Sequence, residues 1–204
     1  MIETLLMAWE DWVATSEVVG EVLAVQRGDR DAFASLLSRY QNRLYRYLLR
    51  WTRETAAAED LFQQTWLKVL ENIGRFDPKR NFEAWLFAIA HNVAIDHLRR
   101  YRPDSLDEAA GDDAPAAAQY RSQSPGALEQ VMQGERIHLV QRALEAQPAA
   151  DREVLSLRFE EEMKLEEIAE VLAMPLSTVK SRLGRAFARL RGTCHRMRLE
   201  ELKP

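Results

Sequence analysis

The segment from Leu165 to Arg191 restricts the fold of this chain more than any other. Leu165, Ile168, Ala169 and Leu172 recur at helical spacing, which predicts a short amphipathic helix. Pro175 has no amide hydrogen and its ring crowds the preceding turn, so it stops that helix. Ser177 or Thr178 then offers a side-chain oxygen to cap a second one. On a wheel of about 100° per residue, Val179, Leu183, Ala186, Phe187 and Leu190 fall within roughly 100°. Thr178, Arg182, Arg185 and Arg189 share an arc of about 60° well away from them, with Ser181 at its edge. From Ala173 to Thr193 there are five basic residues (Lys180, Arg182, Arg185, Arg189, Arg191) and no acid. A basic surface helix is most often only solvated. One that follows a tight turn in this manner is the outline of a helix-turn-helix, and DNA contact is the expectation.

The rest of the composition limits the alternatives. Across 204 residues the formal charge is −4 and hydrophobic residues make up 47%. A buried core is affordable at that composition, and the basic surface is local, with acidic surface left for another protein. The single cysteine, Cys194, allows no internal disulfide framework and suits a reducing compartment. Cys194 and His195 form an isolated pair, and His91 and His97, six apart, face different ways on a helix. No metal and no cofactor is expected. No apolar run reaches the length of a bilayer span, and Glu3, Glu10 and Asp11 stand where a signal peptide would be basic. The expectation is a cytoplasmic protein with no membrane insertion.

Along the chain the pattern is helical almost throughout, and the expected fold class is all-α: two small helical domains joined by a flexible linker, the C-terminal one a helix-turn-helix. Residues 1–20 read as an N-terminal extension, with Ile2, Leu5, Leu6, Trp9, Trp12 and Val13 at helical intervals. A helix to about Gln26 ends at Gly28-Asp29. The first domain, 21–102, contains a long amphipathic helix through Trp51, a helix from Ala57 to Ile73, and a helix from Phe82 to Arg100 that is apolar nearly all round. Between the last two lies a basic, turn-rich loop, Arg75-Phe-Asp-Pro-Lys-Arg-Asn81. Residues 103–126, rich in proline, alanine and acid, form the linker. The helix-turn-helix domain covers 127–192, where Leu155, Leu157 and Phe159 are expected to roof the motif, and 193–204 is a tail. From Asp151 to Glu170 there are eight acids against three basic residues, which segregates charge within that domain.

Two helical domains, a basic aromatic loop and a terminal helix-turn-helix together resemble the extracytoplasmic-function (ECF) sigma factors, compact sigma subunits of bacterial RNA polymerase. Ala58-Glu-Asp-Leu-Phe-Gln-Gln-Thr-Trp66 is similar to the family's helix that grips the polymerase clamp. Arg75 to Leu86 and Ile89 to Arg99 look like its promoter-melting segment, and Glu166 to Leu172 with Ser177 to Leu183 look like its reader of the upstream element. The chain departs from the family's pattern at Gln64, where Glu is usual, and at Glu162 and Lys164, in place of a frequent glycine and a capping serine. Ala173 replaces the turn glycine, where a positive φ without glycine costs about 1 kcal/mol. Gly184 sits inside the recognition helix, where a larger residue is usual and glycine costs about 1 kcal/mol of helix stability.

The resemblance implies a non-enzymatic initiation factor whose partners are bacterial core RNA polymerase, promoter DNA and an anti-sigma factor. It assigns Asp60, Gln63 and Gln64 to polymerase binding. For melting, where each base leaving the stack needs replacement contacts, it points to Phe76 for stacking, and to Lys79, Arg80 and Asn81 beside it. Asn92 would bond a base edge, and Arg99, Arg100 and Arg102 would hold the duplex phosphates. Thr178, Lys180, Ser181, Arg182, Arg185 and Arg189 would reach the minus-thirty-five element in the major groove. Core-anchoring by Phe76 and a self-bonded, buried Asn92 stand beside those roles. A stand-alone helix-turn-helix regulator and a protein-interaction module are the other readings of the whole chain.

Overall fold

A computed structural model of the chain describes residues 16–52, 54–101, 139–140 and 142–201. The Trp9/Trp12 segment, Arg102 and the linker at 103–126 lie outside the described residues. Every regular element described is helical, and the contacts divide the described residues into two compact units, one of those up to Tyr101 together with 170–173, the other of those in 139–169 and 174–201. None of the described helices is long and apolar enough to cross a membrane.

In the first unit α1 (16–26) leads through a tight corner into α2 (Arg30–Thr52). The corner is a Schellman motif: the Gly28 amide bonds the Val25 carbonyl at 2.8 Å and the Asp29 amide bonds that of Ala24 at 3.1 Å. Gly28 takes φ 90° there, a conformation that only glycine adopts cheaply. Asp29 then caps α2 by accepting from the amides of Asp31 and Ala32. Helix α2 buries Leu36, Tyr40, Leu44, Tyr47 and Leu48, a stripe of period three and four, against α3 (Thr55–Asn72) and α4 (Phe82–Tyr101).

Aromatic rings join these layers, two pairs edge to face and the third tilted. Phe33 meets Trp66 at 5.5 Å, Tyr47 meets Phe87 at 5.3 Å, and Tyr40 meets Phe82 at 5.7 Å. Such pairs contribute about 0.5–1.5 kcal/mol each beyond the area they bury. Arg43 forks onto Glu83, tying α2 to the first turn of α4. Two apolar residues of α3 do not join the core: Leu67 is 58% exposed and Leu70 46%.

Burial pushes the Tyr40 phenol up to about 12 from its ordinary 10.0, with the nearby Glu83 carboxylate adding to the effect. The folded state therefore holds the neutral phenol more firmly than the unfolded chain does. Its contribution is complete below pH 10 and is lost as pH rises from 10 through 12, about 2–3 kcal/mol in all. Denaturant titrations across that window should show Tyr40→Phe losing less stability than the parent protein. Parallel curves would show that Tyr40 does not titrate with folding.

In the second unit α5 (described at 139–140 and 142–145) precedes α6 (Ala149–Phe159), α7 (Leu165–Val171) and α8 (Leu176–Glu201). Val154, Leu155 and Leu157 of α6 and Ile168 and Val171 of α7 are all at most 2% exposed, as are Val179 and Ala186 of α8. Phe159 and Phe187 depart from expectation. They are 59% and 51% exposed, their ring centroids 6.2 Å apart, so they shelter each other instead of roofing the motif.

The turns before and after α7 bear out the departures from the family pattern. Glu162 has φ 54° and Ala173 φ 49°. Around Ala173 the Schellman bonds recur, Ala173 amide to Glu170 carbonyl at 3.2 Å and Met174 amide to Ala169 carbonyl at 3.0 Å. At Lys164 half a capping box survives: Glu167 accepts from the Lys164 amide at 2.7 Å, while lysine offers no oxygen in return. Left-handed backbone costs a non-glycine residue about 1–2 kcal/mol, and glycine's freedom in the unfolded chain offsets about 0.4–1 of it. Ala173→Gly should therefore stabilise the protein by about 0.5–1 kcal/mol, read as a higher Tm. A lower Tm would contradict the strain.

Candidate nucleic-acid interface

In the second unit the candidate surface is the outer side of α8. The helix starts one residue before the expected caps, because the Pro175 carbonyl accepts from the amides of Thr178 at 2.9 Å and Val179 at 3.1 Å. Ser177 and Thr178 thus lie inside the first turn, and neither is the cap that the sequence suggested. Packing on α6 fixes the rotation of α8 by burying Val179, Ala186 and Thr193. Lys180, Ser181, Gly184, Arg185, Phe187, Ala188, Arg189 and Arg191 are left exposed, with Thr178 and Arg182 half-buried. A Cβ added at Gly184 would meet nothing within 4 Å. The outermost ridge is therefore low, being serine, glycine and alanine. By helical geometry it is flanked by Lys180 and Arg191 on one side and Arg182 and Arg185 on the other. A low ridge between cations lets a helix backbone sink into a major groove.

Arg189, also exposed on this helix, has a partner within the fold. Its guanidinium is paired with the Asp151 carboxylate on α6, and that carboxylate is only 11% exposed. The pair ties α8 to α6, while the Arg189 side chain itself stays 49% exposed.

In the first unit the candidate surface combines the 76–81 loop with α4. Asp77 organises the loop: its carboxylate accepts from the Lys79 amide at 3.0 Å and its carbonyl from the Arg80 amide at 2.9 Å. This tight turn presents Lys79 and Arg80, both exposed. Asn81 caps α4, its side-chain oxygen accepting from the Ala84 amide at 3.1 Å, a role the sequence reading did not assign. Phe76 is 6% exposed and packed between Phe82 at 5.7 Å and Trp85 at 4.6 Å. Enclosed by these two rings, Phe76 has the geometry of a core anchor, which favours that role over base stacking. Trp85, half-buried over Phe76, carries the more accessible ring, and its place in an apolar run concealed that.

Along α4 from Phe82 to Arg100 the exposed residues are Asn92, Arg99 and Arg100. Asn92 is exposed, so it is not the buried side chain of the alternative reading. Trp85, Asn92 and Arg99 are seven apart in succession, so they line one stripe at two-turn intervals of about 10 Å. An aromatic, an amide and a guanidinium on one line can serve in turn as a stacking face, a base-edge partner and a phosphate anchor.

A separate face lies on α3. Asp60, Gln63 and Gln64 are exposed, and Leu67 and Leu70 continue the same outer side, making an apolar strip within a polar surround.

A two-unit helical protein with these faces belongs among transcription factors, and comparison with known proteins narrows the class. Family models for Sigma-70 region 2 and Sigma-70 region 4 match residues 36–103 and 143–192. The ECF RNA polymerase sigma factor SigW of Bacillus subtilis is 32% identical over 170 residues, covering 82% of this chain and 91% of that protein. The RNA polymerase sigma-H factor of Pseudomonas aeruginosa is 32% identical over 165 residues, covering 79% of this chain and 86% of its own. In fold, the chain is similar to the sigma factor RpoE of Bartonella quintana, solved in complex with the anti-sigma factor NepR. That likeness has a TM-score of 0.62 at 24% identity and covers 79% of this chain and 95% of the other. This chain belongs to the ECF sigma factors of the sigma-70 family.

Proposed function

We propose that the chain directs core RNA polymerase to promoters with two elements and opens the downstream one, working in the cytoplasm and leaving catalysis to the polymerase. The observation that carries the reading is the exposure of Asn92 and Arg99 along α4 and of Lys79 and Arg80 in the loop that precedes it, matched by the exposed cations of α8 on the other unit. In this assignment Lys180, Ser181, Arg182 and Arg185 read the minus-thirty-five element, while Thr178 supports the first turn. Lys79, Arg80, Asn92, Arg99, Arg100 and Arg102 hold the minus-ten region, and Trp85 supplies the stacking ring. Asp60, Gln63 and Gln64 face the polymerase clamp, together with Leu67 and Leu70. An anti-sigma factor, the partner in the RpoE complex, is proposed as a third partner covering these faces.

The test is run-off transcription from a promoter library by core polymerase with and without the purified chain. The reading expects a small set of templates to be transcribed only when the chain is present, sharing two motifs at fixed spacing. An unchanged template set would refute it.

A further inference from the structure

A side chain outside all of these faces holds the melting loop in place. Gln26, at the end of α1, donates from its Nε2 to the Ile73 carbonyl and to the Phe76 carbonyl, both at 2.8 Å. The two acceptors are 47 and 50 residues away in sequence and bracket the short 3-10 turn Ile73–Arg75. Both protons of one carboxamide are thereby spent on the point where the loop leaves α3. The Ile73 carbonyl also accepts from the Phe76 amide at 3.1 Å, so the chain closes on itself at the same place. Two carbonyl acceptors demand a donor, which fixes the orientation of the carboxamide. Gln26 is half-buried, so water replaces these bonds only in part.

We propose that Gln26 is a positioning residue for promoter opening: it latches the root of the 76–81 loop so that the loop's turn, with Lys79 exposed on it, stands ready before DNA arrives. This rests on the melting role proposed above for that loop. Without the latch the loop would have to be ordered during opening, and the cost would fall on that step alone. Core binding and upstream recognition use other surfaces.

Gln26→Met keeps the length and removes the donors, and Gln26→Glu sets a carboxylate against two carbonyl oxygens. With full-length protein and core polymerase, each is expected to lower open-complex formation on a duplex promoter by about tenfold. On the same promoter pre-opened by mismatches across the minus-ten element, activity should stay within about twofold of the parent. Amide exchange should speed up at residues 73–81 with the rest of the first unit unchanged, a readout that does not depend on activity. Equal losses on duplex and pre-opened templates, or unaltered exchange in the loop, would overturn the latch. Lys79→Ala with Arg80→Ala, run on both templates, separates the two ideas. If that pair shows no preference for the pre-opened template, the loop has no melting role and the latch falls with it. If the pair shows that preference and the Gln26 variants do not, only the latch falls.

Discussion

Replacing Arg182 and Arg185 together by alanine is expected to reduce transcription from a two-element promoter roughly hundredfold while core polymerase binds unchanged. Each arginine that reads a base bidentately contributes about 1–3 kcal/mol of discrimination, and a phosphate contact contributes less but in every sequence. Arg185 is exposed and Arg182 half-exposed on the flank of the low Ser181–Gly184–Ala188 ridge. Neither is needed to bury α8, whose packing rests on Val179, Ala186 and Thr193. The double variant should thus keep its Tm and its affinity for core, and the loss should shrink on promoters that lack the upstream motif. Arg189→Ala should behave differently, lowering Tm because Asp151 loses its partner. Intact promoter choice in the double variant would mean that α8 is a solvated basic helix and no more.

Asp60→Arg with Gln63→Arg is expected to weaken association with core polymerase by about thirtyfold or more, measured by competition for core, without unfolding the domain. Both positions are exposed on α3, so the new charges cost little in the free protein. On a partner surface that accepts an acid and an amide there, two added cations meet repulsion and lose their hydration. Leu67→Ser should cost about tenfold on its own, since a leucine 58% exposed contributes little to the core and much to an apolar contact. Unchanged competition by both variants would move the polymerase-binding face away from α3.

The architecture was legible in the sequence where burial and periodicity agree. Leu36, Tyr40, Leu44 and Leu48 repeat along α2 and are buried as the spacing implies, and the breaks at Gly28 and Thr52 fall where expected. The strained turns were legible for a different reason: Glu162 and Ala173 occupy positions where the family pattern wants glycine, and the backbone takes positive φ at both.

What could not be read was the distinction between an apolar residue that is covered and one that only falls in step. Leu67, Leu70, Phe159 and Phe187 have helical spacing, but exposure depends on which neighbours reach them, and no local pattern encodes that. Long-range pairing was hidden for the same reason. Nothing near Arg189 signals that Asp151, 38 residues earlier, takes its charge, and nothing near Gln26 signals two carbonyls across the domain. Phe76 looked available because it sits in a polar loop, yet Phe82 and Trp85 of the following helix enclose it.

The central claim is that two helical bodies of one chain read one promoter only in company with the polymerase. The most direct measurement is the affinity of the purified chain for a selected promoter duplex with and without core, alongside thymine reactivity at the minus-ten element. Weak binding alone, with tight binding and reactive thymines once core is added, is the predicted result. Tight binding by the chain alone, unaffected by core and leaving the duplex closed, would contradict the account and make the protein an ordinary helix-turn-helix regulator.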